Sequence, residues 1–313
     1  MRVDSGLGRR QDGDAPVVLT IGNFDGVHRG HQALLDEVRV TAASMDAQTA
    51  LLTFNPHPRC VLDPARCPQS LTTVAEKRDL LAHGGLDRLV VLGFTREVSS
   101  WGAEQFCDLL GDAFDLRALV VGHDFALGHK RQGDIAFLRD YGARHGIAVM
   151  QVGEVRAEAG AVSSSRIREL VSAGDVTGAM LLLGRPYFMD ARVEHGKEVG
   201  RHLGYPTANL SIATEKCLPQ AGVYAMWVRV GGRWHMAATN VGYRPTFGGD
   251  RLTVEAYLLD FSGDLYDHDV RAVFVERLRE ERAYASVDEL VAQIGRDVDQ
   301  ARRLLTGVAP PSL

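Results

Sequence analysis

"GNFDGVHRGH", residues 22–31, stands between an apolar run, "VVLTI" (17–21), and a helix-like segment that begins near Gln32. Gly22, Gly26 and Gly30 let backbone approach a ligand closely, and the loop leads into a helix N-terminus, whose free amides and dipole favour an anion. His28 and His31 are open to three readings: a zinc pair, one core and one surface histidine, or a pair that handles phosphate. Metalloprotease histidines usually stand four apart on a helix with a glutamate between them, and no matching third ligand is evident here. The glycines and the helix start favour phosphate.

Working outward, "VVLTI" is the first of several short apolar runs, followed by "TALLTF" at 49, "RLVVLGF" at 88, "ALVVG" at 118 and "IAVMQV" at 147. Helix patterns lie between them at 32–43, 74–83, 103–110 and 135–144, with apolar residues three and four apart. Strands apolar throughout and separated by helices describe a parallel sheet covered on both faces. Ligands of such sheets sit beyond the carboxyl ends of the strands, where residues 22–31 fall.

After Gly184 the rhythm becomes strands separated by Gly-rich turns, and "RVGGRW", with Gly231 and Gly232 between strand-like runs, signals a hairpin. An antiparallel barrel or sandwich is expected, closed by a final helix that Ser286 caps, with Glu289 three residues on. The domains are accordingly drawn at 1–183 and 184–313.

The 313 residues carry a formal charge of −5, which argues against a broad cationic surface for nucleic acid or anionic lipid while allowing a local anion site. No window approaches a membrane span, and residues 1–16 lack the apolar segment of a signal peptide, so they read as a frayed tail on a cytoplasmic protein. Cys60, Cys67, Cys107 and Cys217 form no C-x-x-C pair and read as reduced structural thiols.

H-x-G-H after a first strand marks the nucleotidylyltransferase superfamily, and "TIGNFDGVHRGHQALL" resembles the FAD synthetase module of bacterial bifunctional riboflavin kinase/FAD synthetases. "TFNPHP" (53), "LTTVAEKRDLL" (71), "VVGHDFALG" (120) and "VSSSRIREL" (162) match in order. The resemblance implies an α/β Rossmann-like nucleotidylyltransferase domain with ATP and FMN as substrates. Gly22, Asn23, Phe24, Gly26 and Gly30 would then bind ATP, and His28 and His31 would stabilise charge on its phosphates in the transition state. Ser163, Ser164 and Ser165 can cap a helix, and with Arg168 they would hold the departing phosphates. Asp124 and Phe125, with Asn55, would shape the flavin side. The chain departs from the family pattern at Asn55, where an acidic residue is usual, at Ser165 for threonine, and at Ala126 after "HDF".

"GKEVGRHLGYPTANL" (196–210) is not a P-loop, since G-x-x-x-x-G-K-[ST] is absent from the chain. It resembles the riboflavin kinase signature. On that resemblance Gly196, Gly200, Gly204 and Pro206 lie against ATP, while Thr207 and Asn209 offer hard oxygen ligands to Mg2+. Alternation in "LTVEAYLLDF" puts Thr253, Glu255 and Tyr257 on one face. The resemblance makes Glu255 the general base and Arg244 a flavin or phosphate contact.

The expected protein is an antiparallel β-barrel riboflavin kinase domain with a C-terminal helix, following the adenylyltransferase domain. It would convert riboflavin to FMN and FMN to FAD, with small molecules as partners, no nucleic acid or membrane, and at most a weak homo-oligomer. The alternatives are a kinase whose adenylyltransferase half is inactive or altered in specificity, and a non-catalytic flavin-binding regulator.

Overall fold

The structure is a computed structural model that describes residues 1–157, 160–195, 200, 203–246 and 249–312, without the side chains of 244–246 and 249–251. The chain divides into two compact units, 1–70 with 74–163, and 71–73 with 164–313.

The first unit is a six-stranded parallel sheet. Its strands are β1 (Arg2–Ser5), β2 (Pro16–Ile21), β3 (Gln48–Asn55), β4 (Arg88–Gly93), β5 (Asp115–Gly122) and β6 (Ala148–Val152), in the order β1-β4-β3-β2-β5-β6. The connecting helices include α1 (Arg29–Ser44), α2 (Pro58–Leu62), α3 (Val74–His83), α4 (Arg96–Ser100), α5 (Ala103–Ala113) and α6 (Ile135–His145), and a short antiparallel pair, β7 (Arg156–Ala157) with β8 (Gly160–Ala161), follows β6. Val18, Leu19, Leu51, Leu52, Leu119 and Val120 are buried, each worth roughly 1.5–3 kcal/mol of transfer free energy, as expected of strands covered on both faces. Strand order runs outward in opposite directions from β2 and β5, so the switch point at which sheets of this kind bind ligands lies beyond their carboxyl ends. The residues after β2 begin at Gly22, and those after β5 at His123.

Two expectations need correction. Residues 2–5 are not frayed: they pair in parallel with β4, and Asp4 binds Arg88 at 2.6 Å and Arg2 at 2.8 Å. The segment lacks an apolar run because it is an edge strand, held by backbone pairing and charge. Cys60 and Cys67 are not reduced thiols; they form a disulfide across α2 and the turn after it, with Cα atoms 4.2 Å apart. Seven residues of separation hid a contact that the fold of this segment creates. Cys107 and Cys217 are free and buried, in agreement with the expectation.

In the second unit, α7 (Ser164–Ser172) and α8 (Val176–Leu183) precede a closed antiparallel barrel, β10-β13-β12-β11-β14-β9. Its strands are β9 (Phe188–Glu194), β10 (Ala208–Ser211), β11 (Gly222–Val230), β12 (Arg233–Thr246), β13 (Gly249–Leu258) and β14 (Asp269–Glu280). Closure decides the question left between barrel and sandwich: β9 pairs with both β10 and β14. Gly231 and Gly232, at φ 53° and 85°, form the β11–β12 turn, where both positions require the left-handed region. The final helix α9 (Val287–Thr306) starts at Ser286, whose hydroxyl accepts from the Glu289 amide at 3.2 Å. Residues 71–73 pack in this unit, where the buried Lys216 ammonium donates to the Leu71 carbonyl at 2.7 Å.

Candidate active sites

In the first unit, the 22–28 turn is built from unusual backbone. Phe24, Gly26 and Val27 have φ of 47°, 85° and 41°, and only glycine is at ease there. A β-branched valine in that region is strained, a cost of order 1–3 kcal/mol that persists only where surroundings enforce it. Those surroundings are visible: Thr53 Oγ1, at the end of β3, donates to the Asn23 carbonyl at 3.0 Å, and Lys77 Nζ donates to the same oxygen at 2.7 Å. Gln32 Nε2 adds a bond to the Val27 carbonyl at 2.9 Å.

His28 is the N-cap of α1, and its Nδ1 accepts from the backbone N–H of His31 at 3.3 Å. Since Nδ1 is an acceptor, the proton of the neutral ring sits on Nε2, which is then a donor suited to an anion. The His28 and His31 rings stack at 3.6 Å, and Phe24 stacks on His31 at 4.4 Å. A Cβ at Gly30 would lie 3.2 Å from the His28 ring, so glycine there makes room for the stack. Gly22 has a similar role beside the Phe24 ring, at 3.1 Å. The Asn23 amide lies 3.2 Å from His57 Nε2, which brings the residues after β3 to the loop.

Asn55 ends β3 and is exposed, and the Asn55–Pro56 peptide is cis. Beyond β5, Asp124 is exposed, whereas Phe125 packs against the sheet's core. Ser163 stands in the first unit as α7 begins, while Ser164, Ser165 and Arg168 belong to that helix in the second. Arg166 forms an exposed pair with Glu169 at 3.0 Å.

Sequence reading missed Lys77, Asp25 and His57. Lys77 and Asp25 are buried, and burial pushes the Lys77 ammonium down to about 8 while Asp25 opposes the shift. A signal existed: Lys77 and the buried Leu81 stand four apart, so the helix turns a lysine toward its core-facing side.

In the barrel, register carries the second site. Asn209 of β10 faces Glu255 of β13 on one side and Glu194 of β9 on the other, and Glu255 also faces Asn240 of β12. Val254, Ala256 and Leu258 are buried, so Glu255 stands on the opposite face, as alternation predicts. Thr207 precedes β10, and with Pro206 it lines a pocket of about 580 Å³ whose other walls include Ala208, Ala256, Phe261 and Tyr266. Gly200 is required by close approach: a Cβ would lie 2.4 Å from the Tyr205 carbonyl, whose amide in turn bonds the Gly200 carbonyl at 2.8 Å. Gly204 adopts φ 83°. Gly196 and the Arg244 side chain lie outside the described residues, although the Arg244 backbone pairs with Arg251.

Thr207 and Asn209 supply a hydroxyl and an amide oxygen, hard donors of the kind that suit Mg2+. Among the described residues there is no cluster of three or more His, Cys, Asp or Glu able to hold a metal, so an ion there would rely on hydroxyl, amide and nucleotide oxygens. No helix of the described residues is long and apolar enough to cross a membrane.

Comparison with known proteins matches the FAD synthetase family over residues 10–166 and the riboflavin kinase family over 183–305. A bifunctional riboflavin kinase/FMN adenylyltransferase of Pseudomonas fluorescens is 39% identical over 92% of each chain. One from Escherichia coli K12 is 36% identical over 94% of each. A solved Streptococcus pneumoniae structure described as a macrolide-efflux protein superposes with a TM-score of 0.88 at 30% identity, covering 96% of this chain and 99% of that one.

Proposed function

The chain belongs to the family of bifunctional riboflavin kinase/FMN adenylyltransferases, and from that premise we propose how its residues divide the two reactions. It phosphorylates riboflavin with ATP to FMN, and it joins FMN to the AMP portion of a second ATP, releasing pyrophosphate and FAD.

Adenylylation belongs to the first unit. An FMN phosphate oxygen attacks the α-phosphorus as pyrophosphate leaves, and the protein's part is to place donors where charge grows. The observation that carries this reading is the His28 cap: its Nδ1 accepts from the His31 amide at the start of α1, which sets the imidazole at the helix N-terminus where an anion is favoured. His31, stacked on it, offers a second imidazole. Gly22, Asn23, Phe24, Gly26 and Gly30 shape the ATP loop, and Asn55, Asp124 and Phe125 take the flavin side. On the family resemblance we assign Ser163, Ser164, Ser165 and Arg168 to the leaving phosphates.

Phosphorylation belongs to the barrel. Glu255 accepts the proton of the ribityl hydroxyl as that oxygen attacks the γ-phosphorus and ADP leaves. Gly196, Gly200, Gly204 and Pro206 lie along ATP, and Arg244 contacts substrate. Thr207 and Asn209 would hold Mg2+, which would neutralise phosphate charge. A functional boundary near residue 183 is supported by the start of the riboflavin kinase match there. A cytoplasmic setting suits an enzyme that consumes ATP, and its partners are small molecules.

The test is a time course of riboflavin, FMN and FAD by chromatography with riboflavin and Mg-ATP as the only inputs. FMN should appear first and FAD after it, and failure to form FAD from supplied FMN would restrict the reading to the kinase. Asn55→Asp should also change the magnesium dependence of FAD formation; superimposable magnesium titrations would remove Asn55 from that role.

A further inference from the structure

We infer that Lys77 is a positioning residue of adenylyl transfer: its buried ammonium ties the 22–27 turn to the end of β3 and so sets where His28 meets the nucleotide. The inference rests on the assignment of that loop to ATP. Lys77 Nζ bonds the Asn23 carbonyl at 2.7 Å and Thr53 Oγ1 at 3.2 Å, and Thr53 bonds the same carbonyl. These three groups close a triangle around one oxygen of the turn.

Two further observations converge on it. The turn holds Phe24 and Val27 at positive φ, a conformation that relaxes unless something enforces it, and the clamp lies immediately before Phe24. A buried lysine is also an expensive way to fill a helix face four residues from Leu81, where an apolar side chain would pack without desolvating a charge. The charged group facing the ammonium is Asp25 of the turn; β3 contributes the neutral Thr53, and on α3 the adjacent Glu76 is buried as well. The charge therefore sits at the loop's base, where a bound polyphosphate would favour the protonated form.

The enzyme itself supplies the readout. In the intact chain, kcat/KM for ATP in FAD formation should fall as pH rises through about 8, where the free enzyme's ammonium loses its proton. The corresponding limb in kcat should lie at higher pH, because the nucleotide holds the proton on. Lys77→Met, which keeps length and removes charge, should lower kcat/KM for FAD formation by roughly 10²-fold, the scale of a misplaced catalytic group. It should erase the alkaline limb and leave riboflavin phosphorylation intact, and Lys77→Arg should retain more activity than Lys77→Met. FAD formation by Lys77→Met within two-fold of the parent, or an unchanged alkaline limb, overturns the inference. Should Lys77→Met fail to fold, biosynthetic 13C labelling of the lysine Cε in the parent, with the Lys77 signal assigned through Lys77→Arg, reads the titration directly. A midpoint that rises on adding ATP supports the role, and one that stays fixed overturns it. His28→Ala assayed in parallel separates the two levels: if it too makes FAD at the parental rate, the loop assignment itself is at fault.

Discussion

His28 accepts a hydrogen bond from the backbone amide of His31 through Nδ1 at 3.3 Å, so one imidazole caps α1 and, when neutral, carries its proton on Nε2. Structure and chemistry thus share a side chain, and substitution can separate them. Asparagine is among the best N-caps but has no donor where Nε2 stands. His28→Asn should keep the thermal midpoint of the parent and lose FAD formation by roughly 10²- to 10³-fold, the usual effect of removing one such donor. His28→Ala should lose the same activity and also about 0.5–2 kcal/mol of stability. Calorimetry beside an FMN-to-FAD assay checks both, and wild-type FAD synthesis in His28→Asn would assign the ring to capping alone.

Glu255→Gln keeps the size of the side chain and its place between Asn209 and Asn240, but it cannot take a proton. FMN production should fall by roughly 10²- to 10⁴-fold. FAD formation from supplied FMN should continue at the parental rate. Equal losses in both assays would replace two independent sites with one shared site.

The barrel unit extends beyond residues 184–313. Lys216, buried against Tyr187 and Phe188, bonds the Leu71 carbonyl, and residues 164–183 pack in the same unit. A fragment beginning at Gly184 lacks both segments. Losing a partner of a buried charge costs roughly 1–3 kcal/mol or more. The fragment should therefore unfold at lower urea concentration than the barrel of the intact chain, followed by Trp227 and Trp234 fluorescence. Coincident midpoints would show that residues 71–73 and 164–183 add nothing to it.

Thiol titration of the protein unfolded without reductant should count the two free cysteines, Cys107 and Cys217, and four after reduction. Four before reduction would mean that Cys60 and Cys67 do not pair in solution.

Periodicity and turn chemistry are local properties, and they made most of the architecture legible in sequence: apolar runs gave the parallel strands, Gly231–Gly232 the hairpin, and Ser286 with Glu289 the start of α9. The H-x-G-H loop was legible for the same reason, since glycines and a helix start lie within ten residues. What sequence could not supply was anything created by approach across the chain. The Thr53–Lys77 clamp on Asn23 joins three elements, and the pairing of Asn209 with Glu255 depends on barrel register across 46 residues. The Cys60–Cys67 bond, the edge pairing of residues 2–5 with β4, and the burial of Lys216 under the Leu71 carbonyl are of the same kind. Local sequence sets which dihedrals and faces a segment prefers, whereas tertiary packing alone sets which polar groups leave water together, and that decides where a lysine serves as a clamp.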